Sequence, residues 1–344
     1  MTSHEQRTSI IIPAEQVRDV IVQTLRTHGA TEPDSYCQAN ILLEADLRGQ
    51  HSHGVRRVAT LAARLTNGVA TSGITPGFTW VAGARLHVDG FRGLGPAVAQ
   101  QTLKELIPSA RRHGIGIASI TNANHLGMMA PYVEYLAAEG CIGIALTVSE
   151  ALVAPWGGSR AMVGTNPIGI AIPTATEPVV LDMSTAAVSA GRIIDYAARG
   201  EPLQHGWAVD ANGESTTDAS AAVDGAISAF GGSKGYALGL AFEVLVGVLA
   251  GTSFGRDVHG TLDTHLVATK GDVFIAIPAS SDHTALTAYL DQLRGEGNAE
   301  QPVLIPGDRA RALRADRLRN GIPLDSELWD DIVTLSNSLT RSMQ

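Results

Sequence analysis

Ile115-Gly116-Ile117-Ala118-Ser119-Ile120 opens a region in which short apolar runs alternate with helical stretches. Ile142 to Val148, Ile168 to Ile172 and Val179 to Met183 continue the series, and helical spacing from about Met128 to Ala138 separates the first two runs. Apolar runs of this length, bounded by glycine, proline and polar turns, read as buried strands. Residues 115–183 therefore predict the sheet of an α/β domain. Working outward, residues 84–90 read as another strand and Pro96 to Arg112 as a helix with proline in its first turn, where its missing N–H costs nothing. Ala187 to Ala198 and the nearly all-apolar Lys234 to Leu249, ended by Gly251, read as helices. Val273 to Pro278 reads as a strand and Ala285 to Leu293 as a helix. The polar stretch from Gly200 to Ser228, with the turn signal Asp210-Ala211-Asn212-Gly213, reads as a surface loop with little regular structure. Nearer the start, Val17, Val20, Ile21 and Leu25 recur at helical spacing up to Gly29. Thr31 to Asp34 predicts a capping box for a second amphipathic helix carrying Ile41, Leu42 and Ala45.

At 344 residues, 44% of them hydrophobic, the chain can bury a large core and suits two or three domains. A net charge of −9 without a long basic run argues against nucleic acid and against a polybasic membrane patch. No apolar stretch reads as long enough for a membrane span, and the polar Met1 to Arg7 do not read as a targeting segment. Cys37 and Cys141 are too few for a disulfide framework and lack metal-site spacing, so a reducing cytoplasm is the expected setting.

Two histidine segments carry the chemistry: Gly49-Gln50-His51-Ser52-His53-Gly54-Val55-Arg56-Arg57 and Asn122-Ala123-Asn124-His125-Leu126-Gly127. Histidine titrates near neutral pH, and arginine offers a fork that matches a carboxylate, so the segments read as halves of one site for proton transfer at an anionic substrate. Arg57 follows His53 by one helical turn, which lets both address one molecule. Nucleotide fingerprints fail: Gly93-Leu94-Gly95-Pro96 has Val98 where a Rossmann loop needs glycine, and Gly231-Gly232-Ser233-Lys234 lacks Walker spacing. Lys234 at a helix start still suits a phosphate, or is a solvated lysine.

Further strings occur in a fixed order: Ser52-His53-Gly54-Val55 with Arg57, Asn124-His125-Leu126-Gly127, Trp156-Gly157-Gly158, Gly164-Thr165-Asn166-Pro167, Leu181-Asp182-Met183-Ser184, Gly206-Trp207-Ala208-Val209-Asp210, Lys234-Gly235-Tyr236 and Ile305-Pro306-Gly307-Asp308. The series resembles the malate/L-lactate dehydrogenase family, which includes ureidoglycolate and sulfolactate dehydrogenases and reductases of diketogulonate and piperideine carboxylate. The likeness covers nearly the whole chain. It implies an α/β, non-Rossmann fold: a large, mostly antiparallel or mixed sheet with helices in a cofactor domain (76–284, with room for two subdomains), and a helical domain built from both ends (1–75 with 285–344). It also implies a homodimer with the site near the partner subunit.

The resemblance implies an NAD- or NADP-dependent oxidoreductase that moves a hydride between nicotinamide and a small 2-hydroxy or 2-oxo acid; reduction of a cyclic imino acid is the alternative. Ser149, Asp182, Met183, Ser184, Lys234, Pro306, Gly307 and Asp308 are then the cofactor contacts, although Asp182 also reads as a helix cap. Arg57, Arg256 and Ser52 become substrate-binding residues. His125 is favoured over His53 as the acid/base, with Glu150 placed to orient it, and His51 reads as a solvent-facing neighbour. Leu61, where a relative has tyrosine, implies an apolar pocket wall that Met128 and Met129 would extend, core packing being the other reading of the methionines. Arg160, Arg192 and the arginines from Arg309 to Arg319 are candidate cations for a 2′-phosphate or a solvated helix face. A metal-dependent hydrolase and a non-enzymatic binding protein are the readings outside the family; His51 and His53 at i, i+2 lack the acidic ligand the first needs.

Overall fold

The computed structural model describes residues 9–280 and 282–338. From the start run β1 (Ser9–Ile12), α1 (Ala14–Thr27), α2 (Glu32–Leu47), α3 (Val58–Thr66), β2 (Gly77–Ala82), β3 (Arg85–Gly93), α4 (Gly95–His113), β4 (Gly116–Ala123), α5 (Ala130–Ala138) and β5 (Cys141–Thr147). They are followed by β6 (Ile168–Ile172), β7 (Val179–Met183), α6 (Ala190–Arg199), β8 (Ala208–Val209), β9 (Ser215–Thr216), α7 (Ala219–Val223), β10 (Ala226–Ile227) and α8 (Ser233–Ala250). Last come β11 (Asp272–Pro278), α9 (Thr284–Gly295), α10 (Asp308–Asn320), β12 (Ile322–Asp325) and α11 (Ser326–Ser336).

The main sheet has seven strands in the order β2-β3-β4-β11-β5-β6-β7. It is mixed: β3 and β4 run parallel, and every other neighbouring pair is antiparallel. Side chains alternate across a strand, and here small and large residues alternate with them. Ala118, Ala145, Ala171 and Phe274 face the core shared with α4 and α5, whereas Ile117, Ile144, Ile168 and Ile275 pack on the α8 side. The small face lets helices approach closely. A Cβ on Gly143 would come within 2.8 Å of Leu136, and one on Gly169 within 2.7 Å of Met129.

α1, α2, α3 and α11 enclose a separate core around Ile21, Leu25, Leu42, Val58 and Trp329, closed by the β1–β12 pair. α10 is strapped to α2 by arginines one face apart: Arg314 pairs with Glu44 at 2.7 Å, and Arg317 bonds the Asp46 carbonyl. Arg311, which bonds Asp308 and Pro178 O, is engaged as well, whereas Arg309 and Arg319 are exposed as on a solvated face.

Four expectations are corrected. Residues 200–228 contain α7 and the three-stranded sheet β10-β8-β9, built on the small core of Val153, Ile193, Leu203 and Ala208. Thr31 does sit at the N-cap of α2, but its side chain makes no capping bond; Thr31 and Asp34 bond Ser72 and the Gly73 N–H instead. α2 is not amphipathic, because α1, α4 and α10 cover it on several sides. Finally, the 18-residue α8, with mean hydropathy 1.4, is long and apolar enough to cross a membrane by length and composition. Its buried side carries Glu243 and Val246 against β4, β5 and β11.

Candidate active site

The two histidine segments meet. Short 3-10 turns at His51–His53 and Val55–Arg57 follow α2, and β4 ends immediately before Asn124 and His125. The rings of His53 and His125 are stacked, with centroids 5.5 Å apart and planes at 22°. The Gly127 N–H donates to His125 Nδ1 at 3.1 Å, so the neutral ring carries its proton on Nε2. Ser52 Oγ lies 3.0 Å from His53 Nδ1. His51 is less free than a solvent-facing neighbour: Nδ1 is 2.9 Å from buried Asp46, which also accepts the Val55 N–H at 2.7 Å. Only glycine fits at 54, because a Cβ there would collide with the Asp46 carboxylate.

Arg57 donates from Nε to Ser52 O at 2.9 Å and from Nη1 to Thr261 O at 3.3 Å, while Nη2 makes no hydrogen bond among the described residues. Glu150 does not orient His125. Its carboxylate accepts the Thr261 N–H at 2.9 Å, the Thr261 hydroxyl at 2.6 Å and the Leu262 N–H at 3.0 Å. Burial pushes the Arg57 pKa down, and Glu150 opposes that fall.

Burial lowers His53 from 6.5 to about 4, with Arg57 adding to the effect. His125 falls well below 6.5, first through burial and then through Arg57, His53, Lys270 and Arg64. Both rings are neutral at pH 7. As pH falls, the unfolded chain takes up these protons from about 6.5 and the folded chain takes up the His53 proton only near 4. Stability is therefore full above 6.5 and is lost between 6.5 and 4, on the order of 3 kcal/mol for His53. Urea midpoints measured from pH 7 to pH 4.5 should fall, and fall less in His53→Ala; equal slopes in both proteins would contradict this.

Around β7 the structure gathers most of the residues expected at the cofactor. Ser149 Oγ accepts the Thr165 N–H at 3.0 Å, and Ser184 Oγ donates to Thr165 O at 3.0 Å. Met183 ends the strand. Gly239 of α8 approaches the neighbouring Thr185 so closely that a Cβ would lie 2.7 Å from its hydroxyl. Asp182 is a cap, though of α5 and not of the segment after it: Oδ2 accepts the Met129 and Ala130 N–H groups at 2.9 and 2.8 Å. Burial raises its pKa, while these bonds and Gln50 oppose the rise. Pro306 O accepts the Val180 N–H at 3.0 Å, and Gly307, at φ 101°, lies against the Val180 side chain. The Asp308 carboxylate is already taken by Arg294, Arg311 and the Ile305 N–H. Despite the opposing effect of burial, these partners hold it at about 2.

Lys234 is exposed in the first turn of α8, which has no side-chain cap, and forms no ion pair among the described residues. Arg256 is also exposed, in a 3-10 turn at Gly255–Asp257. That turn is tied to α8 by the Gly255 N–H on buried Glu243, and Arg256 makes no hydrogen bond or ion pair among the described residues. Leu61 packs in the core of the helical layer, and Met128 and Met129 pack in the sheet core, which bears out the core-packing reading of the methionines. Arg192 is stacked over Trp207 at 5.1 Å. Among the described residues no group of three or more His, Cys, Asp or Glu could hold a metal.

Among the described residues five buried charged side chains, Asp46, Arg64, Glu243, Lys270 and Asp272, were not foreseen from the sequence. Arg64, 1% exposed, donates to Asn124 Oδ1 at 2.8 Å and to the Asp263 and Leu266 carbonyls. Lys270 pairs with Asp272 at 2.5 Å, and Glu243 accepts from Gly164, Asn166 and Gly255. Arg64 had a usable signal: it lies seven residues after Arg57, with apolar Leu61 between them at helical spacing.

This arrangement defines a histidine–arginine site between a helical layer and a mixed sheet, with glycine-containing loops gathered at the end of β7. A family model for malate/L-lactate dehydrogenase matches residues 12–333. The malate/(S)-sulfolactate dehydrogenase of Methanothermus fervidus is 36% identical over 96% of this chain and 98% of its own. A Delta(1)-pyrroline-2-carboxylate reductase of Burkholderia multivorans is 30% identical over 95% and 98%. The crystal structure of a dehydrogenase from Sinorhizobium meliloti superposes with a TM-score of 0.92 at 45% identity, covering 96% of this chain and 99% of that one. The chain belongs to the malate/L-lactate dehydrogenase family. It is an oxidoreductase, and the family's members use NAD or NADP.

Proposed function

We propose that the chain transfers a hydride between NAD(P) and a small 2-hydroxy or 2-oxo acid, with His125 as acid/base and Arg57 as the carboxylate clamp. The observation that carries this reading is the Gly127 N–H on His125 Nδ1, which leaves an Nε2–H donor on a ring that stacks on His53 and feels the charge of Arg57, whose Nη2 is open among the described residues. A carbonyl oxygen accepts from such a donor, whereas a protonated imine nitrogen needs an acceptor. The ring therefore favours C=O over the cyclic imino acid, the reading that the Burkholderia relative's name supports. His53 stacks on His125 and Ser52 holds His53, so the pair orients the acid/base while Arg57 orients the carboxylate. Arg57 has an open guanidinium edge among the described residues, which suits a substrate carboxylate.

The residues fit a dinucleotide. The uncapped start of α8 and the unpaired Lys234 suit a phosphate. Ser149, Met183, Ser184 and the Pro306–Gly307 backbone would hold the rest, with Asp182's second oxygen on a ribose hydroxyl. The bound cofactor supplies or accepts the hydride. This site lies on a mixed sheet without a glycine fingerprint, in keeping with a non-Rossmann cofactor domain (76–284) beside a helical domain from both chain ends (1–75 and 285–344). The exposed apolar side of α8, Leu238, Leu240, Val244, Leu245 and Val248, supports a homodimer. The free thiols of Cys37 and Cys141 support a cytoplasmic setting.

A screen of 2-oxo acids and cyclic imines with NADH and NADPH, followed by the absorbance of the reduced nicotinamide, tests the assignment. Turnover is expected with a monocarboxylic 2-oxo acid. Turnover confined to imines would select the alternative, and no turnover together with no nicotinamide fluorescence change would overturn both.

A further inference from the structure

The segment 261–266 crosses the site without regular structure, and both of its leucines and His265 are exposed, so little apolar packing holds it. It is held by its backbone. Glu150 takes the Thr261 and Leu262 N–H groups, Arg57 donates to Thr261 O, Asn67 donates to Thr264 O at 2.9 Å, and Arg64 donates to Asp263 O and Leu266 O. Arg64 is unusual among these anchors. It is fully buried, forms no ion pair among the described residues, and spends its donors on neutral oxygens: those two carbonyls, Asn124 Oδ1 and, at 3.5 Å, Val69 O. A buried guanidinium without a paired carboxylate is costly, and simple packing would be served better by leucine or methionine. Asn124 is itself fully buried, donates to Arg92 O and Gly93 O, and directly precedes His125.

We propose that Arg64 is a positioning residue that holds the two halves of the active site in register, His125 through Asn124 and Arg57 through the 261–266 segment. The inference rests on the roles proposed above for His125 and Arg57. Its fork is what allows this: Nε serves one half and Nη1 the other, a division that lysine's single ammonium cannot reproduce.

Arg64→Gln and Arg64→Lys should each lower kcat/KM by about 10²-fold, through both a raised KM and a lowered kcat, with NAD(P)H binding by fluorescence unchanged. Asn67→Ala, which loosens only the segment, should raise KM alone. In an Arg57→Lys background the KM effect of Arg64→Gln should largely vanish, because both act on one carboxylate. Hydrogen exchange gives a readout that needs no turnover: in both Arg64 variants the amides of 261–266 and of 124–127 should exchange faster together, with the rest of the sheet unchanged. Faster exchange in one segment alone, uniform loosening of the whole fold, or KM and kcat equal to those of the parent would overturn the proposal. An inactive parent that still shows the paired exchange response would count against the assigned reaction and support the positioning role.

Discussion

His125→Ala should lower kcat by about 10²- to 10⁴-fold, the usual contribution of a positioned acid/base, with NAD(P)H affinity retained. His53→Ala should lose far less, because its Nδ1 meets the rotatable Ser52 hydroxyl, which can donate or accept, whereas the Gly127 N–H fixes the tautomer of His125. The pH profile sharpens the test. That N–H opposes a second proton on Nδ1, and burial followed by Arg57's charge depresses both histidines. Reduction needs the imidazolium, which forms only when Nδ1 gives up the Gly127 N–H and which burial and then Arg57 depress well below 6.5, so kcat/KM for reduction should fall as pH rises through the acid range below 6.5. Oxidation needs the neutral ring in its Nδ1–H tautomer, which gives up the Gly127 N–H and frees Nε2 to accept the hydroxyl proton, and should show no loss above pH 7. A bound carboxylate offsets the Arg57 charge, so the apparent pKa in kcat should lie above that in kcat/KM. His125→Ala should flatten both profiles. Retained turnover in His125→Ala with loss in His53→Ala would move the acid/base role to His53.

Much of the sheet is legible along the chain because its strands are buried on both faces and its helices carry local start and stop signals. Ile115 to Ile120, Ile168 to Ile172 and Val179 to Met183 appear as β4, β6 and β7, with bounds matching or shifted by a few residues. The meeting of the two histidine segments is legible for a different reason: each joins titratable and hydrogen-bonding groups to glycines, and only Gly54 tolerates the closeness of Asp46. What escapes depends on partners distant in sequence. Glu150 finds Thr261, Asp182 finds the start of α5, and Thr31 and Asp34 find Ser72 and Gly73; each satisfies a local motif's chemistry at a remote site. Local pattern cannot rank a neighbouring donor against one folded in from elsewhere. Leu61 shows the same limit in reverse, since its position in a motif says nothing of the core that surrounds it. Residues 200–228 escaped because their strands are two residues long and too short for any alternation to register.

Arg57→Ala should raise the KM for a 2-oxo acid by about 10²- to 10³-fold, since charge-assisted bonds to a carboxylate contribute roughly 1.5–3 kcal/mol each. Arg57→Lys should recover only part of this. Lysine keeps the charge but cannot reach Ser52 O, Thr261 O and a substrate from one planar group, as the Arg57 fork does with two edges held and Nη2 open. Removing the guanidinium should also raise the His53 pKa from its value of about 4, because Arg57 adds to the dominant effect of burial there. Imidazole proton resonances followed from pH 3.5 to pH 8 read that shift directly, without substrate. The two effects separate binding from electrostatics: a carboxamide analogue of the substrate should bind wild type and Arg57→Ala alike, whereas the histidine titration should move in the variant whatever the ligand. An unchanged KM for the acid would remove Arg57 as the clamp. Exposed Arg256 would then be the remaining arginine among those expected to contact substrate.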